Sequence, residues 1–328
     1  MTRRCRAALV SSILLLPVVV GAELTDAERT EQAELLAWVR ALQLQARSEQ
    51  AAAVCEMILV ADPANAEALT QRGILRLAEG EFEPAREDFE QALRARPRST
   101  LALVGRAHAG QALQQTGASR RDAGRAIELC TRALEDDPGD AWAYYVRGLA
   151  RLLLKQEAEA LQDFVSAGDL DEALVEARHE RAQVYRQRER FAEAIEQLSQ
   201  AVAVRPDYAA GYLARARARF EAKDFLAARD DCDRALQINP QYARAWHNRG
   251  LIDLQLGEVL AAVQDLTHAL SAQPDYASAH YYRGEAYYQS GNRGAARADW
   301  EMAAELAPDD WAGKTAAEML RKVERGEL

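Results

Sequence analysis

Aromatic residues are scarce in this sequence, and positive charge does not predominate. Only 7% of the 328 residues are Phe, Trp or Tyr, and 41 Lys and Arg stand against 51 Asp and Glu, a formal charge of −10. So acidic a chain argues against a general nucleic-acid binder, which needs basic surface to displace the counterions of phosphates. Disorder is excluded too, because 49% of the residues are hydrophobic and 28% are charged.

Motifs of enzyme active sites are also missing. The sequence contains no G-x-S-x-G nucleophile elbow, no H-E-x-x-H zinc motif and no glycine-rich phosphate loop. We therefore expect a protein that is not an enzyme.

The first 22 residues have the composition of a secretory signal peptide. Three arginines form a positive start: Arg3, Arg4 and Arg6. An apolar stretch follows over residues 7–20, and Val20-Gly21-Ala22 supplies small residues for cleavage before Glu23. The stretch is shorter than the roughly 20 apolar residues of a membrane span and is broken by Pro17, although an uncleaved anchor is the alternative. Cleavage removes three arginines and takes the formal charge from −10 to −13. We expect an exported protein of the bacterial periplasm, without a membrane span after cleavage.

Proline positions reveal an internal repeat. Seven prolines lie at residues 63, 97, 138, 206, 240, 274 and 308, at intervals of 34, 41, 68, 34, 34 and 34. The interval of 68 is two repeats with Glu172 in place of a proline, and the interval of 41 implies seven extra residues. Placing the proline at repeat position 32 aligns eight repeats.

Small residues recur at two positions of the repeat. Position 20 is alanine in all eight repeats: Ala51, Ala85, Ala126, Ala160, Ala194, Ala228, Ala262 and Ala296. Position 8 is small in seven: Gly73, Ala107, Gly148, Ala182, Ala216, Gly250 and Gly284. Position 24 is mostly large and apolar, as in Phe89, Phe164 and Trp300. Two helices that cross with their backbones close together require this combination.

This pattern resembles the tetratricopeptide repeat (TPR) family. The match is carried by "ALTQRGILRLAEGEFEPAREDFEQALRARP" at 68–97 and "AWHNRGLIDLQLGEVLAAVQDLTHALSAQPDY" at 245–276, and it covers about residues 32–310. The resemblance implies an all-α fold, a right-handed α-solenoid of about eight helix pairs. It also implies that the first helices line a concave groove for peptides or partner proteins, and it implies no catalytic activity or cofactor.

The chain then divides into four segments. Residues 1–22 are the signal peptide, 23–65 an N-terminal cap with a degenerate repeat, 66–310 repeats two to eight, and 311–328 a C-terminal capping helix. The seven extra residues, near 114–122 in repeat three, are expected as a loop between the two helices of that repeat.

Arginine and aspartate occupy two further columns. Position 7 is arginine in repeats two to eight: Arg72, Arg106, Arg147, Arg181, Arg215, Arg249 and Arg283. Position 23 is aspartate in five repeats: Asp88, Asp163, Asp231, Asp265 and Asp299. The recurrence of both columns favours guanidinium–carboxylate pairs between helices, and an anion-binding surface is the alternative.

Cysteine and histidine do not form a site. Cys55, Cys130 and Cys232 all stand at position 24 and are at least two repeats apart, too far for a disulfide. The five histidines are scattered over four repeats, so no shared metal site is expected.

Candidate binding residues come from the resemblance, which implies that positions 2, 5, 9 and 12 of each first helix face the groove. They are Trp142, Tyr145, Leu149, Leu152, His179, Arg186, Arg217, Phe220, Arg244, His247, Leu251, Tyr281, Glu285 and Tyr288. Such an apolar and aromatic surface with scattered arginine suits an extended or helical peptide. Packing of the aromatic side chains against adjacent repeats is an equal alternative for these positions.

We expect a scaffold that holds a protein or peptide partner, for assembly of an envelope complex. Stacking of the groove aromatics on a glycan or cell-wall polymer is the alternative function. A chaperone tail is not expected, because no repeat carries the Lys and Asn pair at positions 5 and 9 that clamps a terminal carboxylate in that branch of the family.

Overall fold

The computed structural model describes residues 26–326, with side chains from residue 30 onward. The predicted signal peptide at 1–22 and its cleavage site lie outside these residues, as do the last two residues of the chain. The fold divides after residue 181 into two compact units, here called the N-terminal unit and the C-terminal unit.

Seventeen helices and no strand occur within residues 26–326. They are α1 (Asp26–Leu44), α2 (Ser48–Ala61), α3 (Ala66–Glu79), α4 (Phe82–Ala95), α5 (Thr100–Ala112), α6 (Thr116–Asp136), α7 (Ala141–Leu153), α8 (Glu157–Leu170), α9 (Val175–Gln187), α10 (Phe191–Val204), α11 (Ala209–Glu221), α12 (Phe225–Ile238), α13 (Ala243–Leu256), α14 (Val259–Ala272), α15 (Ala277–Gln289), α16 (Arg293–Leu306) and α17 (Trp311–Glu324). The predicted all-α helical-repeat solenoid is confirmed.

The turn between the two helices of each repeat contains one residue with a left-handed backbone. These residues are Ala46, Gly80, Gln114, Lys155, Glu189, Lys223, Gly257 and Gly291, with φ between 56° and 84°. Glycine adopts this conformation without steric cost, and the other residue types are held in it by the flanking helices. The spacing is 34 residues throughout, except for 41 between Gln114 and Lys155.

The prediction of a loop at 114–122 is wrong. The turn at Gln114 has the usual position, and the seven extra residues lengthen α6, which has 21 residues where α4 has 14. Seven residues are about two helical turns, so an insertion of this size returns the buried face to the same side. Ser119 and Ala123 are buried on that face, and the Ser119 hydroxyl donates to the Ala107 carbonyl at 2.6 Å.

Small and large residues pack as the sequence predicts. Phe89 and Phe164 are 0% and 1% exposed, and a Cβ built on Gly73 or Gly148 would lie 2.8 Å or 2.5 Å from the facing ring. Trp300 lies in the same way against Gly284. The columns at positions 8 and 24 are therefore a packing requirement between the two helices of a repeat.

The arginine and aspartate columns form ion pairs, as predicted. Six pairs join the first and second helices of their repeats: Arg72–Asp88, Arg106–Asp122, Arg147–Asp163, Arg215–Asp231, Arg249–Asp265 and Arg283–Asp299. Each is bidentate, and the hydrogen bond to Asp88 raises the pKa of Arg72 above its usual range. Asp122 was not predicted as a member, because the alignment counted it among the extra residues near 114–122.

A second arginine, one turn later at position 11, joins three of these pairs. Arg76, Arg151 and Arg219 donate to Asp88, Asp163 and Asp231 at 2.7, 2.6 and 2.9 Å. Repeat seven has Asp253 at this position, beside Asp265. The buried Asp253 Oδ1 accepts no hydrogen bond from the described residues and lies 3.6 Å from Arg229. Burial, and then the charge of Asp265, raise the pKa of Asp253 to about 6.

We expect Asp253→Asn to stabilise the protein above pH 6. A carboxyl whose pKa is higher in the folded than in the unfolded state favours folding when protonated, and this contribution is lost as the pH rises from about 4 to 6. Asparagine removes the buried negative charge. The free energy of unfolding of the variant should therefore exceed that of the wild type by about 1 kcal/mol at pH 7.5 and differ little from it at pH 4. Urea unfolding of both proteins across this range measures the difference, and a constant difference would contradict the assignment.

Helix α17 covers the end of the C-terminal unit. Ala312, Gly313 and Ala316 are buried, and the carbonyl of Ala307 lies too close to Gly313 for a side chain there. The Trp311 ring packs edge-on against Tyr281 at 5.5 Å. Within the described residues, no helix is long and apolar enough to cross a membrane.

Candidate functional site

An open cleft of about 620 Å³ lies on the N-terminal unit, along the starts of its first helices. Its walls include residues at positions 2, 5 and 9 of repeats one to four: Arg40, Glu67, Thr70, Leu101 and Trp142. The connection between α4 and α5, residues 96–100, forms the remaining wall. These positions are the ones that the family resemblance places in the groove, and only Trp142 among them was predicted as a binding residue.

Trp142 is the accessible aromatic residue of this cleft. Its side chain is 42% exposed, while Tyr145 one turn later is 9% exposed and packs between Trp142 and Phe164 at 5.2 and 6.2 Å between ring centroids. Leu149 and Leu152 are half-buried and pack against the core of the unit. Repeat four therefore offers one indole face to a ligand, and its other predicted residues support that face.

A second cavity, of about 230 Å³, lies on the C-terminal unit and is here called the C-terminal cavity. Three predicted residues line it: Arg217, Phe220 and Leu251. Asn248 and Tyr282 at position 6, and Glu221 at position 13, also line it and were not predicted. They lie on the same helix face as positions 2, 9 and 12, so helical geometry alone could have found them.

Arg217 is a cation without a counter-ion at this cavity. Its side chain makes no hydrogen bond or ion pair with the described residues, although Glu221 lies on the next turn. Glu221 instead accepts from Arg186 at 2.6 Å. Burial, and then the charge of Arg186, lower the pKa of Arg217. A ligand carboxylate could supply the missing charge, and Arg244 adds positive potential nearby.

Several other predicted residues are packed inside the C-terminal unit. His247 is 7% exposed, its ring lies 4.8 Å from Tyr276, and burial lowers its pKa to about 4. Tyr281 is 8% exposed, and the Tyr288 ring packs against Trp300 at 5.8 Å. Glu285, beside Tyr281, has a pKa raised by burial. His179 is partly buried.

The cysteines of the described chain are buried thiols. Cys55, Cys130 and Cys232 are free, and burial raises the pKa of Cys55 to about 12 and of Cys130 to about 11. Residues 26–326 bring together no group of three His, Cys, Asp or Glu side chains suited to a metal ion.

Comparison with known families identifies the repeat. Sequence profiles described as "Tetratricopeptide repeat" match residues 70–115, 129–162, 179–243, 214–281 and 277–310. Together these segments span most of the helices described above.

Two curated relatives share part of the chain. "DnaJ homolog subfamily C member 7" of Mus musculus is 35% identical over 158 residues, which are 45% of this chain and 32% of that protein. The protein of the same name from Homo sapiens is 34% identical over 158 residues. The chain thus spans about a third of the length of these relatives, 32% in each case.

Two solved structures have the same fold. The structure titled "Crystal structure of APC/C hetero-tetramer Cut9-Hcn1" aligns with a TM-score of 0.61 and 17% identity, covering 98% of this chain and 59% of that chain. The structure of PilW, titled a "widely conserved type IV pilus biogenesis factor", aligns with a TM-score of 0.54 and 19% identity, covering 66% of this chain and 98% of that chain. At these identities the likeness concerns the fold alone.

Proposed function

Because this chain belongs to the tetratricopeptide repeat family, we propose that it is a non-enzymatic adaptor that holds a segment of a partner protein against its first helices. One observation carries the proposal. The cleft of the N-terminal unit and the C-terminal cavity are both lined by one face of successive first helices.

The side chains of these two surfaces indicate the chemistry of the partner segment. Trp142 and Leu101 offer apolar area on the N-terminal unit, and Phe220 and Leu251 do so on the C-terminal unit. Aromatic side chains and arginine contribute most of the binding energy in many protein interfaces. We propose a partner segment with apolar side chains and a carboxylate for Arg217.

Capture of the partner from the native envelope fraction tests the proposal. Two variants, Trp142→Ala and the double variant Phe220→Ala/Leu251→Ala, should each lose a crosslinked protein that the wild type recovers, because each removes apolar contact area. Mass spectrometry of the recovered proteins identifies it.

The matched control is Leu226→Ala/Leu260→Ala, which removes two leucines that are 61% and 73% exposed on second helices. This variant should recover the same protein as the wild type. Equal recovery from the groove variants and the wild type would refute the proposal that the groove binds the partner. Recovery of a polysaccharide instead of a protein would favour the alternative, in which Trp142 stacks on a sugar ring.

We further propose that the protein acts in the bacterial periplasm, in assembly of an envelope complex. The basic start, apolar stretch and small residues of positions 1–22 support export.

Processing of the chain tests export. We expect the mature protein to begin at Glu23, since cleavage follows small residues. The intact mass of protein from the periplasmic fraction measures this directly. A full-length chain in the membrane fraction would indicate the uncleaved anchor, and a full-length chain in the cytoplasm would contradict export.

A further inference from the structure

The last turn of α4 and helix α6 carry exposed arginines outside the ion-pair columns. We call three of them the arginine patch: Arg94, Arg121 and Arg125. None of their side chains forms a hydrogen bond or an ion pair with the residues that the structure describes, whereas six of the arginines at position 7 are paired. The chain as a whole is acidic, with a formal charge of −10, so this concentration of free positive charge is a local exception.

The patch borders a cavity of about 320 Å³. Arg94 at the end of α4 and Arg125 in α6 line it together, with Arg106 between them in sequence and Leu93, Pro97 and Leu103 as apolar wall. Arg121 lies one turn before Arg125 on the same face of α6. The cavity therefore presents two free guanidinium groups, and a third extends them along α6.

Two carboxylates beside these arginines are already paired. Glu90, which lines the cavity, accepts from Arg86, and Asp122 accepts from two nitrogens of Arg106, a hydrogen bond that raises the pKa of Arg106. Neither carboxylate pairs with Arg94, Arg121 or Arg125. An exposed guanidinium without a partner is available for bidentate binding of an external carboxylate.

Arginine at both of the α6 positions occurs in repeat three only. Arg121 and Arg125 stand seven and eleven residues after the left-handed turn residue, where repeat two has Glu87 and Gln91. We propose that the arginine patch is a second docking surface, separate from the groove, for an acidic segment of a partner protein. A short run of Asp and Glu fits better than a nucleic acid, because a long polyphosphate would also approach the acidic remainder of the surface.

Fluorescence anisotropy with the full-length mature protein and a labelled peptide of alternating Asp and Glu tests this proposal. The wild type should bind this peptide and not the matched peptide of Asn and Gln, and binding should weaken as salt is raised. The variant Arg94→Gln/Arg121→Gln/Arg125→Gln should bind about tenfold more weakly. Arg→Lys changes at the same three positions should give an intermediate affinity, because lysine keeps the charge and loses the bidentate geometry.

The matched control removes three exposed arginines of the C-terminal unit, Arg234→Gln/Arg293→Gln/Arg297→Gln, and should leave binding unchanged. All the variants replace exposed residues, and equal melting temperatures confirm that they are folded. Equal weakening in both Gln variants, no preference for the acidic peptide, or tighter binding of a single-stranded oligonucleotide of equal length would overturn the proposal. The groove variants described above should bind the acidic peptide as the wild type does. The proposal for the arginine patch and the proposal for the groove can therefore be refuted independently.

Discussion

Asp231→Ala is expected to destabilise the protein by about 3 kcal/mol. Asp231 is 2% exposed and accepts from Arg215 at 2.9 and 2.7 Å and from Arg219 at 2.9 Å. Without this carboxylate, two guanidinium groups remain largely buried, at 14% and 22% exposure, and keep the cost of desolvation without the attraction that offsets it. Urea unfolding at pH 7.5 measures the change.

The adjacent residue provides the control. Asp230 is exposed and makes no ion pair with the described residues, so Asp230→Ala removes the same charge and should change stability by less than about 0.5 kcal/mol. If the two variants unfolded at the same urea concentration, the pairing of Arg215 with Asp231 would not be a source of stability. The alternative interpretation of the arginine column as an anion-binding surface would then be favoured.

Gly148→Ala is the second change with a large expected effect, a loss of about 2 kcal/mol. The added Cβ would lie 2.5 Å from Phe164 Cε1, closer than van der Waals contact allows, and Phe164 is 1% exposed and has no room to move. Adding Phe164→Leu should recover most of this loss, since repeat five combines Ala182 with Leu198 at the same two positions. Thermal unfolding of the single and double variants gives the coupling energy.

Gly124→Ala is the control for the effect of alanine on a helix. Gly124 lies inside α6, and a Cβ there would meet no described atom within 4 Å. Alanine should therefore be neutral or stabilise the helix by up to about 1 kcal/mol. Strictly additive effects of Gly148→Ala and Phe164→Leu would contradict the close approach of α7 and α8.

Much of the fold could be predicted because each column of the repeat records one packing requirement. Small residues at position 8 and large ones at position 24 determine how the helices of a pair approach, and the 16-residue separation of Arg72 and Asp88 places a pair across them. These constraints are local to a repeat, so a single sequence contains each of them in most of its eight repeats.

The position of the seven extra residues could not be inferred from proline spacing. Prolines mark only the end of the second helix, so an interval of 41 residues fits an insertion anywhere in the repeat. Glycine would have marked the turn, but repeat three has Gln114 in that left-handed conformation. The distance from Arg106 to Asp122, 16 residues as in the other pairs, was the available sign that the turn itself is unchanged.

The sequence predicts which repeat positions line the candidate site better than it predicts which of those side chains are exposed. Positions 2, 9 and 12 do line the two depressions, as Trp142, Arg217 and Phe220 show. Burial of Tyr281 by Trp311 depends on how the next helix is placed, which periodicity does not specify. Arg96 and Arg98 belong to a connection between helices, where the repeat pattern assigns no facing direction.

Photocrosslinking from the groove itself tests most directly whether the first helices hold a partner. A photoreactive phenylalanine analogue replaces Trp142 or Phe220 in one set of cells and the exposed Leu226 or Leu260 in another, and the products are separated after irradiation of intact cells. We expect one protein to be crosslinked from both groove positions and from neither leucine position. Crosslinks from the leucine positions alone, or the same products from all four, would show that the first helices do not hold the partner.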